Sequence, residues 1–187
     1  MATDEPMIGF GRGSQWTWFV WGAAAALLSM PYFAMRFSTG VDWSADDFAV
    51  MGIMLAILCG LVEIVTRLTG NIAYRLAVCA AVGAAFLITW ANLAVGIVGS
   101  EDNPSNRLFF YALLVGLIGA SLARFRPRGM ALAMLATAAA TAAAFLVAVS
   151  GTTDERNVSH WLELVATSVV ASPFLLSAWL FRKAARA

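Results

Sequence analysis

Long apolar runs alternate with short polar connections along the chain, and the alternation repeats six times. The runs cover residues 16–35, 46–66, 76–99, 108–123, 129–150 and 158–181. An α-helix needs about 20 apolar residues to cross the hydrocarbon core of a bilayer, and five of the runs reach that length. The fourth is short, but Arg107 and Arg124 flank it. Side chains of that length extend toward the headgroups and lengthen the effective span. None of the runs shows the period-two alternation of a membrane β-strand. The pattern predicts an all-α, polytopic membrane protein, a bundle of six transmembrane helices in three in–out–in hairpins. It assigns residues 1–15 to a short N-terminal tail, 16–181 to a single six-helix domain and 182–187 to a basic C-terminal tail.

Composition agrees. Hydrophobic residues make up 61% of the 187 positions and charged residues 12%, about half the charged share of a soluble domain. A soluble fold of this size could not hide so much apolar surface, so lipid has to cover part of it. The two cysteines, Cys59 and Cys79, each sit inside an apolar run, where a thiol behaves as a small hydrophobe. They suggest neither a disulfide framework nor a metal site. The first run is longer than a signal-peptide core and no small-residue cleavage pattern follows it.

The distribution of charge sets an expected orientation. Arg12, Arg67, Arg75, Arg124, Arg126, Arg128, Arg182, Lys183 and Arg186 fall on one side, against Arg36, Arg107 and Arg156 on the other. Positive charge stays on the cytoplasmic side, which places both termini there. Asp42, Asp46, Asp47, Glu101, Asp102, Asp154 and Glu155 collect in the first, third and fifth connections. Trp16, Trp18, Trp21 and Trp179 near the inner boundary, with Trp43 and Trp161 near the outer one, read as an aromatic belt. With net charge +1, nothing suggests a nucleic-acid partner. The expected partners are the lipid bilayer and either a second copy of the chain or another membrane protein.

Packing faces are marked by small residues. Gly52, Ala56 and Gly60 recur at spacing four in the second run, and Ala112, Gly116 and Ala120 in the fourth. Such stripes let helix backbones approach closely. The fifth run is small all round and is expected inside the bundle. Asn103-Pro104 suits a helix start, and Asn157 suits a cap on the sixth helix. Gly40, Gly99 and Gly151 are placed to close the preceding helices.

Three segments, NIAYR (71–75), WANLAVGIVGSEDNP (90–104) and ARFRPRGM (123–130), resemble a group of small bacterial inner-membrane proteins to which no activity is assigned. The resemblance spans most of the chain and implies a bacterial, multi-pass protein of the cytoplasmic membrane. It carries over no functional residue.

Ionisable groups inside a bilayer are costly and need a reason. Glu63 lies four residues before Arg67, on one helix face, and reads as an ion pair near the cytoplasmic end. Glu163 lies near the start of the last helix, with His160 one turn earlier and Thr167 one turn later. Asn92 falls at comparable depth on the third helix. Two readings stay open for Glu163, Asn92, His160 and Thr167. One is an interhelical hydrogen bond that fixes packing. The other is a site for a cation, a proton or a small polar solute, open to the outside. One histidine makes a poor transition-metal site, and no nucleophile sits beside a base. No cofactor, metal or catalytic set is expected. The function classes that remain are a structural or accessory membrane protein acting through helix packing or partner contacts, a small transporter or channel, and, with least support in the sequence, a membrane enzyme.

Overall fold

A computed structural model describes residues 11–37, 40–99, 102–151 and 160–187, with the side chains of residues 11–16, His160 and Glu163 outside the description. It contains six α-helices: α1 (Gly11–Phe37), α2 (Ala45–Leu68), α3 (Ile72–Ala94), α4 (Arg107–Leu122), α5 (Pro127–Gly151) and α6 (His160–Ala184). All six are long and apolar enough to cross a membrane, and no strand occurs among the described residues. Two compact units divide the chain, Met1–Arg67 with α1 and α2 and Leu68–Ala187 with the remainder.

In the first unit, α2 begins with a reciprocal cap. The Asp47 N–H donates to Ser44 Oγ at 3.2 Å, and the Ser44 N–H donates back to Asp47 Oδ2 at 2.8 Å. Trp43 and Phe48 meet edge to face at 5.2 Å, a hydrophobic staple fixing the entry of the chain. The buried side of α2 is Met51, Leu55 and Cys59, and Cys59 Sγ lies 3.9 Å from the Val20 carbonyl of α1. Of the expected Gly52–Ala56–Gly60 contact only Gly52 faces α1, where a Cβ would lie 3.8 Å from Leu28 Cδ2. Ala56 is exposed, and a Cβ on Gly60 would meet nothing within 4 Å. Spacing four defines a stripe, but it does not say which of two adjacent stripes the neighbouring helix covers.

In the second unit, α5 packs against both α4 and α6, and α6 also packs against α3. The alanine-rich α5 is thus central, and more of its span is buried than of any other candidate span. The Ala112–Gly116–Ala120 stripe of α4 is buried. A Cβ on Gly116 would come within 2.6 Å of Thr137 Oγ1, and one on Gly119 within 2.8 Å of the Ala133 Cβ. The missing side chains let α4 and α5 touch at backbone distance, where dispersion holds helices together without a hydrophobic drive. α3 and α4 meet only slightly; the main partner of α3 is α6.

Three helix ends differ from the hydropathy pattern in ways that bear on the site. α3 starts at Ile72, four residues earlier than the apolar run, because Asn71 caps it by accepting from the Tyr74 N–H at 3.1 Å. It ends at Ala94, where Gly96, at φ 76°, turns the chain and its N–H reaches the Ala91 carbonyl at 2.9 Å. Gly96 rather than Gly99 closes the helix. At its C-terminal end, α6 continues to Ala184, so Arg182 and Lys183 belong to its last turn rather than to a separate tail.

Candidate functional site

Three contacts define how α3 and α6 run against each other. Asn71 Nδ2 donates to the Ala184 carbonyl at 3.4 Å, the rings of Tyr74 and Phe181 pack at 5.0 Å, and Ser177 Oγ donates to the Ala77 carbonyl at 2.7 Å. Two steps of three residues along α3 are matched by steps of three and then four back along α6, so the helices are antiparallel. Carried along both at the same rise, this register levels Ile88 with Thr167 and Asn92 with Glu163. The buried positions agree with it. On α3 they include Ala77, Ala84, Ile88 and Asn92, and on α6 Thr167, Val170, Phe174, Ser177 and Phe181.

Asn92 is 6% exposed and Thr167 4%. Asn92 Nδ2 donates to the Ile88 carbonyl at 2.8 Å, which leaves Oδ1 buried without a donor. The Thr167 hydroxyl is likewise buried and unpartnered. This differs from Thr137 and Thr141, whose hydroxyls donate to the carbonyls four residues back at 2.8 and 2.9 Å. A buried polar group without a partner is costly. Two such oxygens at the same end of the α3–α6 contact mark a place able to accept a hydrogen-bond donor, a water or a hard cation. Asn92 lies in the last turn of α3, since the helix stops at Ala94. It is thus nearer the helix end than the apolar run to Gly99 suggested. The side chains of His160 and Glu163 lie outside the described residues.

The connection after α3 contains a residue that the sequence pattern did not single out. Asn106 is buried, and its Oδ1 accepts from the N–H groups of Ile97 and Val98 at 3.1 and 3.0 Å. Its own N–H donates to the Asn103 carbonyl at 3.0 Å, closing the 3₁₀ turn Pro104–Asn106 that leads into α4. Asn103 caps that turn by accepting from the Ser105 N–H at 2.9 Å. Ile97 and Val98 are buried although they are not helical, so their backbone donors need partners, and Asn106 supplies one for both. A polar residue shortly after an Asn-Pro helix start was the available signal.

In the first unit, Glu63 forms an ion pair with Arg67. It also accepts from Trp21 Nε1 of α1 at 3.0 Å. The carboxylate thus ties α1 to α2 as well as pairing within its own helix. Trp21 acts here as a hydrogen-bond donor, a role that its reading as a boundary aromatic did not reveal. Among the described residues no three His, Cys, Asp or Glu side chains gather as a metal-ligand set.

Comparisons with protein-family models, curated proteins and solved structures find no match.

Proposed function

We propose that the protein is a structural or accessory protein of a bacterial cytoplasmic membrane, acting through helix packing and contacts with a second copy of itself or another membrane protein. The observation that carries this reading lies at mid-length of α5, the central helix. Its polar side chains there, Thr137 and Thr141, give their protons to their own helix backbone. Transporters commonly bind substrate near the midplane at broken helices. Here α5 is continuous, and α6 runs unbroken through Pro173. Apolar side chains such as Leu164, Val165 and Val169 on α6 and Leu114 and Ile118 on α4 are exposed, and they supply surface for lipid or a partner helix. In proteoliposomes the protein should raise Na⁺, K⁺ or H⁺ flux no further than protein-free vesicles do. A cysteine at Val165 should give one discrete cross-linked product in native membranes. Saturable flux with no cross-linked product would overturn the reading.

Both termini are assigned to the cytoplasm, supported by the split of nine basic residues against three. With Cys59 and Cys79 replaced by alanine, an Asn103→Cys variant should react with an impermeant maleimide in intact cells. An Arg126→Cys variant should react only after permeabilisation, and the reverse pattern would invert the topology.

A second reading has one specific observation in its favour. Asn92 Oδ1 and Thr167 Oγ1 are both buried and unpartnered, within about one turn of each other by the α3–α6 register, and both are oxygen ligands. Such a set suits a cation, a proton or a small polar solute entering from the outer side.

A further inference from the structure

The α3–α6 register and the α4–α5 turn bring basic residues to one end of the second unit. The Tyr74 hydroxyl donates to the Phe125 carbonyl at 2.8 Å, fixing the turn that carries Arg124, Arg126 and Arg128 beside the start of α3. The Asn71–Ala184 bond fixes the end of α6, with Arg182, Lys183 and Arg186, at the same level. The five acids of Leu68–Ala187 are Glu101, Asp102, Asp154, Glu155 and Glu163. All lie in the α3–α4 connection, the α5–α6 connection or the first turn of α6, which belong to the opposite helix ends.

Within this basic end, α5 and α6 leave a groove of about 330 Å³ lined by Arg128, Arg182, Arg186, Ala131, Leu132 and Ala185. Arg182 lies in the last turn of α6, Arg186 in the turn just past its end and Arg128 in the first turn of α5, and all three line the groove. Among the described residues no carboxylate pairs with any of the three. Three like charges around one groove repel each other unless an anion sits among them. Guanidinium groups bind phosphate in a planar, bidentate manner. The remaining lining is apolar, and Leu132, exposed on α5, points the groove's apolar side along the helix.

We infer that this groove is a binding site for the phosphate headgroup of an anionic phospholipid, with the three arginines holding the phosphate and an acyl chain lying along Ala131 and Leu132. The inference rests on the membrane-spanning reading but on neither functional class, so failure of the lipid site would leave the packing and transport readings where they stand. Charge complementarity selects the occupant: a zwitterionic lipid would bring its own cation into a cluster that already has three.

The test uses the full chain in detergent, with phosphatidylglycerol and phosphatidylcholine as probes and native mass spectrometry as readout. Phosphatidylglycerol should be retained preferentially. A basic residue near a headgroup contributes roughly fivefold in affinity. Arg186→Gln should therefore weaken retention about fivefold, and the triple variant Arg128→Gln, Arg182→Gln, Arg186→Gln about a hundredfold. The charge-matched control Arg124→Gln, Arg126→Gln, Lys183→Gln removes the same charge from the same end but outside the groove, and should change retention only a few-fold. Equal losses in the two triple variants would mean diffuse surface attraction and would overturn the site. Displacement of the lipid by millimolar inorganic phosphate would overturn the lipid assignment in favour of a free anion. Thermal melting of each variant reports folding independently, and the single variant at the exposed Arg186 provides a readout if the triple variant is unstable.

Discussion

The Ser177 hydroxyl on α6 donates to the main-chain carbonyl of Ala77 on α3 at 2.7 Å, across a sequence separation of 100 residues. Ser177 is fully buried, as is Ala77. A serine hydroxyl reaches a neighbouring helix backbone only where the two helices lie very close, so this bond marks a close approach of α3 and α6. Interhelical hydrogen bonds in membranes average about 0.6 kcal/mol and reach about 1.7. Ser177→Ala should destabilise the protein within that range, measured by denaturation in detergent. Ser177→Leu should cost about 1–3 kcal/mol through overpacking. An unchanged midpoint for both variants would mean the helices are not in contact there.

Gly116 and Gly60 should respond in opposite directions. A side chain at Gly116 enters Thr137, which is buried and held by its bond to Ala133. Gly116→Leu should lose about 1–3 kcal/mol. Gly60 has open space, and alanine is a better helix former than glycine by about 0.5–1 kcal/mol, so Gly60→Ala should be neutral or stabilising. Parallel thermal melts test the pair, and equal losses would restore the Gly52–Ala56–Gly60 contact.

Six helices were legible because about 20 apolar residues in a row have few other uses. Their ends were less so. Tyr74 and Arg75 lower the hydropathy at the start of α3 yet are helical, because Asn71 caps them. Ile97 and Val98 continue the apolar run past the true end, because hydropathy does not separate a helix from a buried loop. The Glu63–Arg67 pair is local and was visible at spacing four. Its Trp21 partner is 42 residues away and requires knowing that α1 lies on α2. Asn92 and Thr167 were readable as polar residues in apolar runs, whereas the lack of a partner for their oxygens depends on packing that no spacing encodes.

The α4–α5 turn places two successive non-glycine residues in the left-handed region, Arg124 at φ 49° and Phe125 at φ 56°. That conformation costs an L-residue about 1–2 kcal/mol. Arg124→Gly should relieve part of the cost and raise the melting temperature. Arg124→Val, which removes the same charge, should lower it, because a β-branched residue tolerates this region poorly. The difference between the two variants is free of the charge effect, and equal melting temperatures would contradict the turn geometry.

The end of the α3–α6 contact separates packing from ion binding. Asn92 Oδ1 is an acceptor without a donor and Thr167 Oγ1 a hydroxyl without a partner, both buried, and the register levels Asn92 with Glu163. If Asn92 and Glu163 hydrogen-bond across the helices, a double-mutant cycle with Asn92→Leu and Glu163→Leu should show coupling of about 0.6–1.7 kcal/mol. Thr167→Val tests the hydroxyl by an almost isosteric change. Removing a buried hydroxyl that has no partner should be neutral or stabilising, since leaving one unsatisfied costs about 1–3 kcal/mol. If the hydroxyl instead holds an ion, the same change should remove any stabilisation by added cation, because a ligand stabilises only the state that binds it. Glu163→Gln should then do likewise while leaving the ion-free protein nearly as stable. Run across pH and a panel of Li⁺, Na⁺, K⁺ and Ca²⁺, the expected result is coupling between Asn92 and Glu163 without cation dependence. Cation-dependent stabilisation lost in both Thr167→Val and Glu163→Gln would move the assignment to the ion site. Additive effects with no dependence on ion or pH would defeat both and leave the two oxygens to a bound water.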